Sequence, residues 1–318
     1  MNFFAHARTA LKFGLINLKL KPGDYVLVPA YSCDALIQPL RDLNLKIEFY
    51  SIDEFFNPKW EELEKRVKEV LFSAIIMIHY FGIPQDIKKF KEFSDRNNLF
   101  LIEDNAHGFG GTVDGKFLGT FGDIGISSPR KTLDLNSGGI LYLKSKITYP
   151  KDLPIQKNGF VKNFLREFFS KNPFFKKILY KLKNNINFDD PSIIKETQVV
   201  DMLSDHDSSN KIGHSLVKKT ATQIQMNQYK KWALCYEIFK REGFKPAVKK
   251  IPTTASPWLF PIKIDNEEEK KKLIKFSNQK NLIIVSWPIL PKEIIVLENE
   301  AKKKWRKILF IQLNNSII

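Results

Sequence analysis

Between Arg8 and Leu143 short, almost wholly apolar runs alternate with amphipathic stretches, and this alternation restricts the fold more than any other feature of the chain. Tyr25-Val26-Leu27-Val28 and Ala74-Ile75-Ile76-Met77-Ile78 have no polar face. Such runs suit strands buried on both sides, with helices as the cover. The pattern predicts an α/β domain with a mostly parallel central sheet flanked by helices. A helix is expected over Arg8 to Leu18, a turn at Lys21-Pro22-Gly23-Asp24 and a strand from Tyr25. Next come a helix over Ala35 to Leu43, a strand at Lys46 to Tyr50, a helix opening at Pro58 and a strand at Ala74 to Ile78. Asp86 to Asn97 reads as a helix, and Leu99 to Glu103 and Gly139 to Leu143 as strands.

With 318 residues, 43% of them hydrophobic, the chain has room for a second, smaller domain. Character changes after Leu143. The stretch from Lys151 to Lys183 is rich in lysine and phenylalanine, and alternating helical and strand-like pieces return near Ile212. The expected division is a large α/β domain over 1–145, a basic helical insertion or linker over 146–212, and a smaller C-terminal α/β domain over 213–318. Docking of the insertion on an anionic membrane is one reading. An ordinary helix burying its aromatic side is preferred, because any packed helix has an apolar face. The net charge of +16 comes with lysine well in excess of arginine and with no nucleic-acid-binding motif, so it reads as compositional bias. Nucleic acid is not expected as a partner. No run approaches the roughly 20 apolar residues of a membrane span, and the first residues lack the pattern of a signal peptide. Cys33 and Cys235 have neither disulfide nor zinc spacing, and Asp205-His206-Asp207 reads as a solvated loop, so no metal is expected. A cytoplasmic protein fits these features.

The chemistry gathers in three nearby segments: Leu101 to Gly108, Gly119 to Asp123, and Ser127 to Thr132. An α/β sheet binds its ligands beyond the carboxyl ends of the strands. Asp104 directly follows a strand-like run, and Lys131 lies in a turn-rich stretch before another. A lysine amine and a carboxylate at the top of one sheet are what pyridoxal phosphate (PLP) chemistry requires. The amine binds the cofactor aldehyde, and the carboxylate keeps the pyridine nitrogen protonated.

Seven motifs in order carry a resemblance. They are Arg8-Thr9-Ala10-Leu11, Pro22-Gly23-Asp24, Val28-Pro29-Ala30-Tyr31, His79-Tyr80-Phe81-Gly82-Ile83-Pro84, Glu103-Asp104-Asn105-Ala106-His107, Gly119-Thr120-Phe121-Gly122-Asp123, and Ser128-Pro129-Arg130-Lys131 with Gly138-Gly139. In these the chain resembles the DegT/DnrJ/StrS family of nucleotide-sugar aminotransferases, which are fold-type-I PLP enzymes. The resemblance runs from about Ala7 to Leu143 and more weakly from about Ser215 to Leu313. It implies that Lys131 holds the cofactor and moves the proton, and that Asp104 partners the ring nitrogen. It also implies that the amides of Thr9 and Ala10 and the hydroxyl of Ser128 meet the phosphate, with His107 beside the ring. The substrates implied are glutamate as amino donor and a keto-sugar nucleotide used in glycan biosynthesis, and the assembly implied is a homodimer. A subgroup with histidine in place of this lysine dehydrates its substrate, so Lys131 indicates transamination.

Some features depart from the family pattern. Cys33 stands where an aromatic residue usually stacks on the ring, the step from Ser128 to Lys131 is short, and Asn136-Ser137 replaces an acidic residue before the glycine pair. The family's segment before Thr9 is shorter here, as is the segment after Leu313, and no partner-chain asparagine motif is found. Two alternatives stay open: a PLP enzyme for a non-sugar substrate, and a truncated, non-catalytic scaffold relative. A dinucleotide-binding reading fails because Gly108-Phe109-Gly110-Gly111 does not continue into GxGxxG.

Overall fold

The computed structural model describes residues 1–133, 135–143, 150, 152–157, 200–296 and 298–313. The first part runs β1 (Asn2–Phe4), α1 (Ala7–Asn17), β2 (Tyr25–Pro29), α2 (Asp34–Asp42), β3 (Lys46–Tyr50), α3 (Trp60–Glu69), β4 (Ala74–Ile78), α4 (Ile87–Arg96), β5 (Phe100–Asn105), β6 (Thr112–Val113), β7 (Lys116–Phe117), β8 (Ile124–Ser127) and β9 (Gly139–Leu143). The second runs α5 (His206–Ser215), α6 (Lys218–Arg241), β10 (Lys245–Pro246), β11 (Leu259–Lys263), α7 (Glu267–Gln279), β12 (Ile284–Ser286), α8 (Lys292–Ile295), α9 (Glu300–Lys307) and β13 (Ile308–Gln312).

Seven strands form one sheet in the order β1-β9-β8-β5-β4-β2-β3. Strands β3, β2, β4, β5 and β8 pair in parallel, and β9 lies antiparallel to β8 and β1. The α/β sheet expected from the apolar runs is therefore present. Ile75, Ile76 and Met77 of β4 are fully buried, each such side chain contributing about 1.5–3 kcal/mol relative to exposure. Local chemistry sets the element ends. Asp86 caps α4 by accepting from the Lys89 amide at 3.0 Å. In the turn before β2, the Asp24 carboxylate accepts from the Lys21 amide at 2.8 Å.

Two boundaries depart from expectation by more than one residue. The helix expected from Pro58 begins at Trp60, because Pro58 bridges to Ile52. Strand β5 continues through Asp104 and Asn105, since Asp104 pairs with Ile78 and Ile126 and Asn105 pairs with Ser127. Asp104 is thus the penultimate residue of the strand and does not follow it.

The C-terminal part builds a second sheet, antiparallel throughout, in the order β10-β11-β13-β12. Trp232 and Phe239 of α6 pack on Phe260, Ile262 and Ile311 of this sheet. Leu259, Trp287, Trp305 and Phe310 instead join the core of the large sheet, so the two sheets share apolar packing.

The basic insertion expected over 146–212 falls mostly outside the described residues. What is described of it corrects one reading. Asp205 is a buried helix cap, not a solvated loop residue: its carboxylate accepts from the Ser208 amide at 2.9 Å and from the Ser137 hydroxyl at 2.7 Å. Helix α5 then packs Ile212 against Phe109, Leu135 and Ile140 of the large domain. None of the described helices is long and apolar enough to cross a membrane.

Candidate active site

Successive side chains of a strand point to opposite faces, so Glu103 and Asp104 at the end of β5 do different work. Glu103 is fully buried. Its carboxylate accepts from the amides of Gly119 at 2.6 Å, Phe121 at 2.7 Å and Gly122 at 3.1 Å, and pairs with His79 Nε2 at 2.8 Å. His79 Nδ1 accepts from the Gln85 amide at 3.0 Å, so the proton sits on Nε2 and is donated to Glu103. Burial pushes the Glu103 carboxyl up, but the bonds from His79, Gly119 and Phe121 outweigh it and hold it below its ordinary value.

Glu103 therefore ties the loop after β4 to the turn before β8. Glu103→Gln is expected to lower stability by about 1.5–3 kcal/mol at neutral pH, the usual worth of hydrogen bonds to a buried charged group. A carboxyl with a lowered folded value stabilises above its unfolded value and loses that contribution as pH falls through the folded one. The gap between wild type and Glu103→Gln in urea unfolding should therefore narrow in acid.

Asp104 is 8% exposed. Its Oδ1 accepts from the Ala106 amide at 2.8 Å, and among the described residues no hydrogen bond reaches Oδ2. Burial raises its carboxyl above the ordinary value, against the Ala106 amide and the charge of Lys131. Lys131 comes from the end of β8 on a single helical turn, Pro129–Lys131, whose start is set by proline. The turn is closed by bonds from the Lys131 amide to the Ser128 carbonyl at 3.0 Å and from the Thr132 amide to the Pro129 carbonyl at 2.9 Å. This compact turn accommodates the short step from Ser128 to Lys131. Burial lowers the Lys131 amine to about 8, with Cys33 and Asp104 pulling upward and Arg130 downward.

The start of α1 abuts the same loop. A helix leaves its first amides without intrahelical acceptors. Here those belong to Ala7, Arg8 and Thr9, because the Ala10 amide already donates to the His6 carbonyl at 3.1 Å. This corrects one expectation: Ala10 closes the first turn and is not an open donor. Gly139 permits the approach. A Cβ at that position would lie 2.5 Å from the Ala7 nitrogen and closer still to the His6 carbonyl group. Gly139→Ala must push the helix start away from the Lys131 loop, and is expected to cost about 1–3 kcal/mol in a urea unfolding series.

The expected residues thus share one corner, and two unforeseen ones join them. The His107 ring lies 5.1 Å from Trp258 and 5.2 Å from Trp287, both from the C-terminal part, and Lys131 Nζ lies 4.7 Å from the centre of the Trp258 ring. Burial, and then the charge of Lys131, hold His107 well below its ordinary value, so the ring is neutral. Two tryptophans in a distant stretch carry no local sign that they reach this place; only the chain's return to the large sheet brings them there. Tyr31 is fully buried and stacks on Trp287 at 5.0 Å. Cys33, by contrast, is close enough to Lys131 and Asp104 for each to act on its thiol, which burial pushes up.

Several buried polar atoms around this corner have no hydrogen-bond partner among the described residues: Thr9 Oγ1, Tyr31 OH, Ser32 Oγ, His107 Nδ1, Thr132 Oγ1 and Trp258 Nε1. Buried polar atoms are normally paired. Open amides at a helix start suit a phosphate, the carboxylate suits a protonated ring nitrogen, and an amine with lowered basicity suits a carbonyl carbon. The set fits a planar, phosphorylated aldehyde.

Fold and corner together place the chain in the class of fold-type-I α/β proteins with a lysine and an aspartate at the strand ends. A model of the DegT/DnrJ/EryC1/StrS aminotransferase family matches residues 4–189. The chain belongs to this family. It is 30% identical over 161 residues to a GDP-perosamine synthase of Escherichia coli O157:H7, a match covering 49% of this chain and 43% of that protein. It is 33% identical over 142 residues to the lipopolysaccharide biosynthesis protein RfbH of Salmonella typhimurium, covering 44% and 32%. The matched stretch is thus less than half the length of either relative. A DegT/DnrJ/EryC1/StrS aminotransferase from Brucella abortus superposes with a TM-score of 0.65 at 18% identity, over 98% of this chain and 79% of that one. A GDP-4-keto-6-deoxymannose-3-dehydratase, crystallised with a trapped PLP-glutamate geminal diamine, superposes at 0.64 and 18% identity, over 98% and 83%.

Proposed function

We propose that the protein is a PLP-dependent aminotransferase that moves an amino group from glutamate to a keto-sugar nucleotide for glycan biosynthesis. The observation that carries this reading is the meeting of Lys131, Asp104 and the unpartnered polar atoms in one buried corner. The names of the relatives supply the substrate class. The proposal extends to a homodimer on the strength of the resemblance, and to a cytoplasmic location and a division into 1–145, 146–212 and 213–318 on that of the sequence pattern.

In this reading the open amides at the start of α1, with the hydroxyls of Thr9 and Ser128, hold the phosphate. Lys131 would hold the aldehyde, and the Asp104 carboxylate would keep a proton on the ring nitrogen. His107, a neutral imidazole, would lie beside the ring. When bound, pyridoxal phosphate supplies an electron-accepting ring that stabilises negative charge at the donor's reacting carbon. The Lys131 amine would serve as the base that takes the proton from that carbon and, once protonated, as the acid that gives it back.

The reading has a consequence in pH. A lysine lowered to about 8 becomes the free amine as pH rises through that value. The rate at which Lys131 captures added pyridoxal phosphate is expected to climb through about pH 8 and then level off, measured by stopped-flow absorbance. A rate still climbing toward the ordinary lysine value near pH 10.4 would contradict the buried setting. The function is tested by supplying glutamate with keto-sugar nucleotides and measuring the 2-oxoglutarate formed. No product with any acceptor, from protein that binds the cofactor, would sink the substrate assignment.

A further inference from the structure

Trp258 has no part in the chemistry above, yet it touches the reacting group. It immediately precedes β11, and its backbone is held on both sides: its N–H donates to the Phe81 carbonyl at 2.8 Å, and its carbonyl accepts from the Leu313 amide at 2.9 Å. Phe81 belongs to the loop after β4 and Leu313 follows β13, so the two sheets fix the residue between them. Close packing reinforces this. A Cβ on Gly82, where φ is +93°, would lie 2.5 Å from the Ser256 carbonyl oxygen and 2.6 Å from that of His107. From this anchored backbone the indole presents its face to Lys131 Nζ at 4.7 Å and stands 5.1 Å from the His107 ring.

We propose that Trp258 is a positioning residue for Lys131: the indole face holds the ammonium form of the amine and fixes its resting place, giving the C-terminal domain a direct grip on the reacting lysine. This rests on the reading of Lys131 as that lysine. The face of an indole is the negative pole of its quadrupole and attracts a cation most strongly where water is thin. The other groups acting on Lys131 are Cys33 at the start of α2, Asp104 in β5, and Arg130 beside it in the chain, with His107 neutral. Cys33 and Asp104 pull the amine upward, whereas burial and Arg130 pull it downward. The indole adds to the upward side without carrying charge. Removing it while keeping the space apolar should therefore make Lys131 a weaker base.

The test uses the full chain without cofactor. Wild type, Trp258→Leu and Trp258→Phe are treated with cyanate across a pH series, and carbamylation of Lys131 is read by peptide mass spectrometry against the exposed Lys88. The wild-type midpoint is expected near about 8. In Trp258→Leu it should fall by about half a pH unit, the shift corresponding to a partly exposed cation–π contact. Trp258→Phe, which keeps a weaker face, should lie between. An unchanged midpoint in Trp258→Leu overturns the proposal. So does a raised one, because the indole would then act only by excluding water. If Trp258→Leu does not fold, Trp258→Phe decides alone, a lowered midpoint supporting the proposal and an unchanged one overturning it. With no cofactor present, failure of the PLP reading would appear in the absorbance experiments and not here.

Discussion

Asp104→Asn is expected to lower turnover by roughly 10²–10³-fold, the range seen when one preorganised polar contact to developing charge is removed, while leaving the fold intact. The asparagine oxygen can still accept the Ala106 amide that Oδ1 accepts at 2.8 Å, so the end of β5 keeps its geometry. What is lost is the negative charge that would keep a proton on the ring nitrogen. The effect should fall on kcat, with KM for glutamate little changed, because the charge matters most when electrons move into the ring. A merely structural Asp104 would show the reverse pattern, with a lower melting temperature and near-normal turnover by the folded fraction.

Lys131→Ala should have the larger effect. It removes both the covalent attachment and the group that moves the proton, and lost proton transfer alone accounts for roughly 10²–10⁴-fold. Lys131→Arg separates the amine's chemistry from its charge. A guanidinium keeps the positive charge but does not give up its proton at working pH, so this variant should be as inactive as the alanine. Steady-state amino transfer with both variants checks the point, and appreciable turnover by Lys131→Arg would mean that only the charge matters. Neither change should disturb folding, since Lys131 lies on a turn closed by backbone bonds.

The sheet was legible in the sequence because its buried strands are short apolar runs with turn residues between them. Ala74 to Ile78 and Gly139 to Leu143 coincide with β4 and β9. Motif order also pointed to Lys131, Asp104, His107, Thr9 and Ser128, which the fold gathers around one corner. Ala10 shows the limit of such reading. Which amide is open depends on where the first helical turn closes, and the start of α1 at Ala7 decides that. Trp258 and Trp287 were not legible at all, because their approach to His107 depends on how the second sheet docks. Asp205 had the same difficulty: a carboxylate beside Ser137 makes sense only once α5 is seen to pack on Leu135 and Ile140.

The central claim is that Lys131 holds pyridoxal phosphate covalently, and the most direct measurement is an absorbance spectrum followed by borohydride reduction and peptide mapping. Wild-type protein incubated with pyridoxal phosphate should show a visible band that shifts when glutamate is added, and reduction before that addition should leave the cofactor fixed to the peptide containing Lys131. Lys131→Ala should show neither the band nor the fixed cofactor. Absence of the band in wild type at saturating pyridoxal phosphate, or its attachment to a different lysine, would contradict the account.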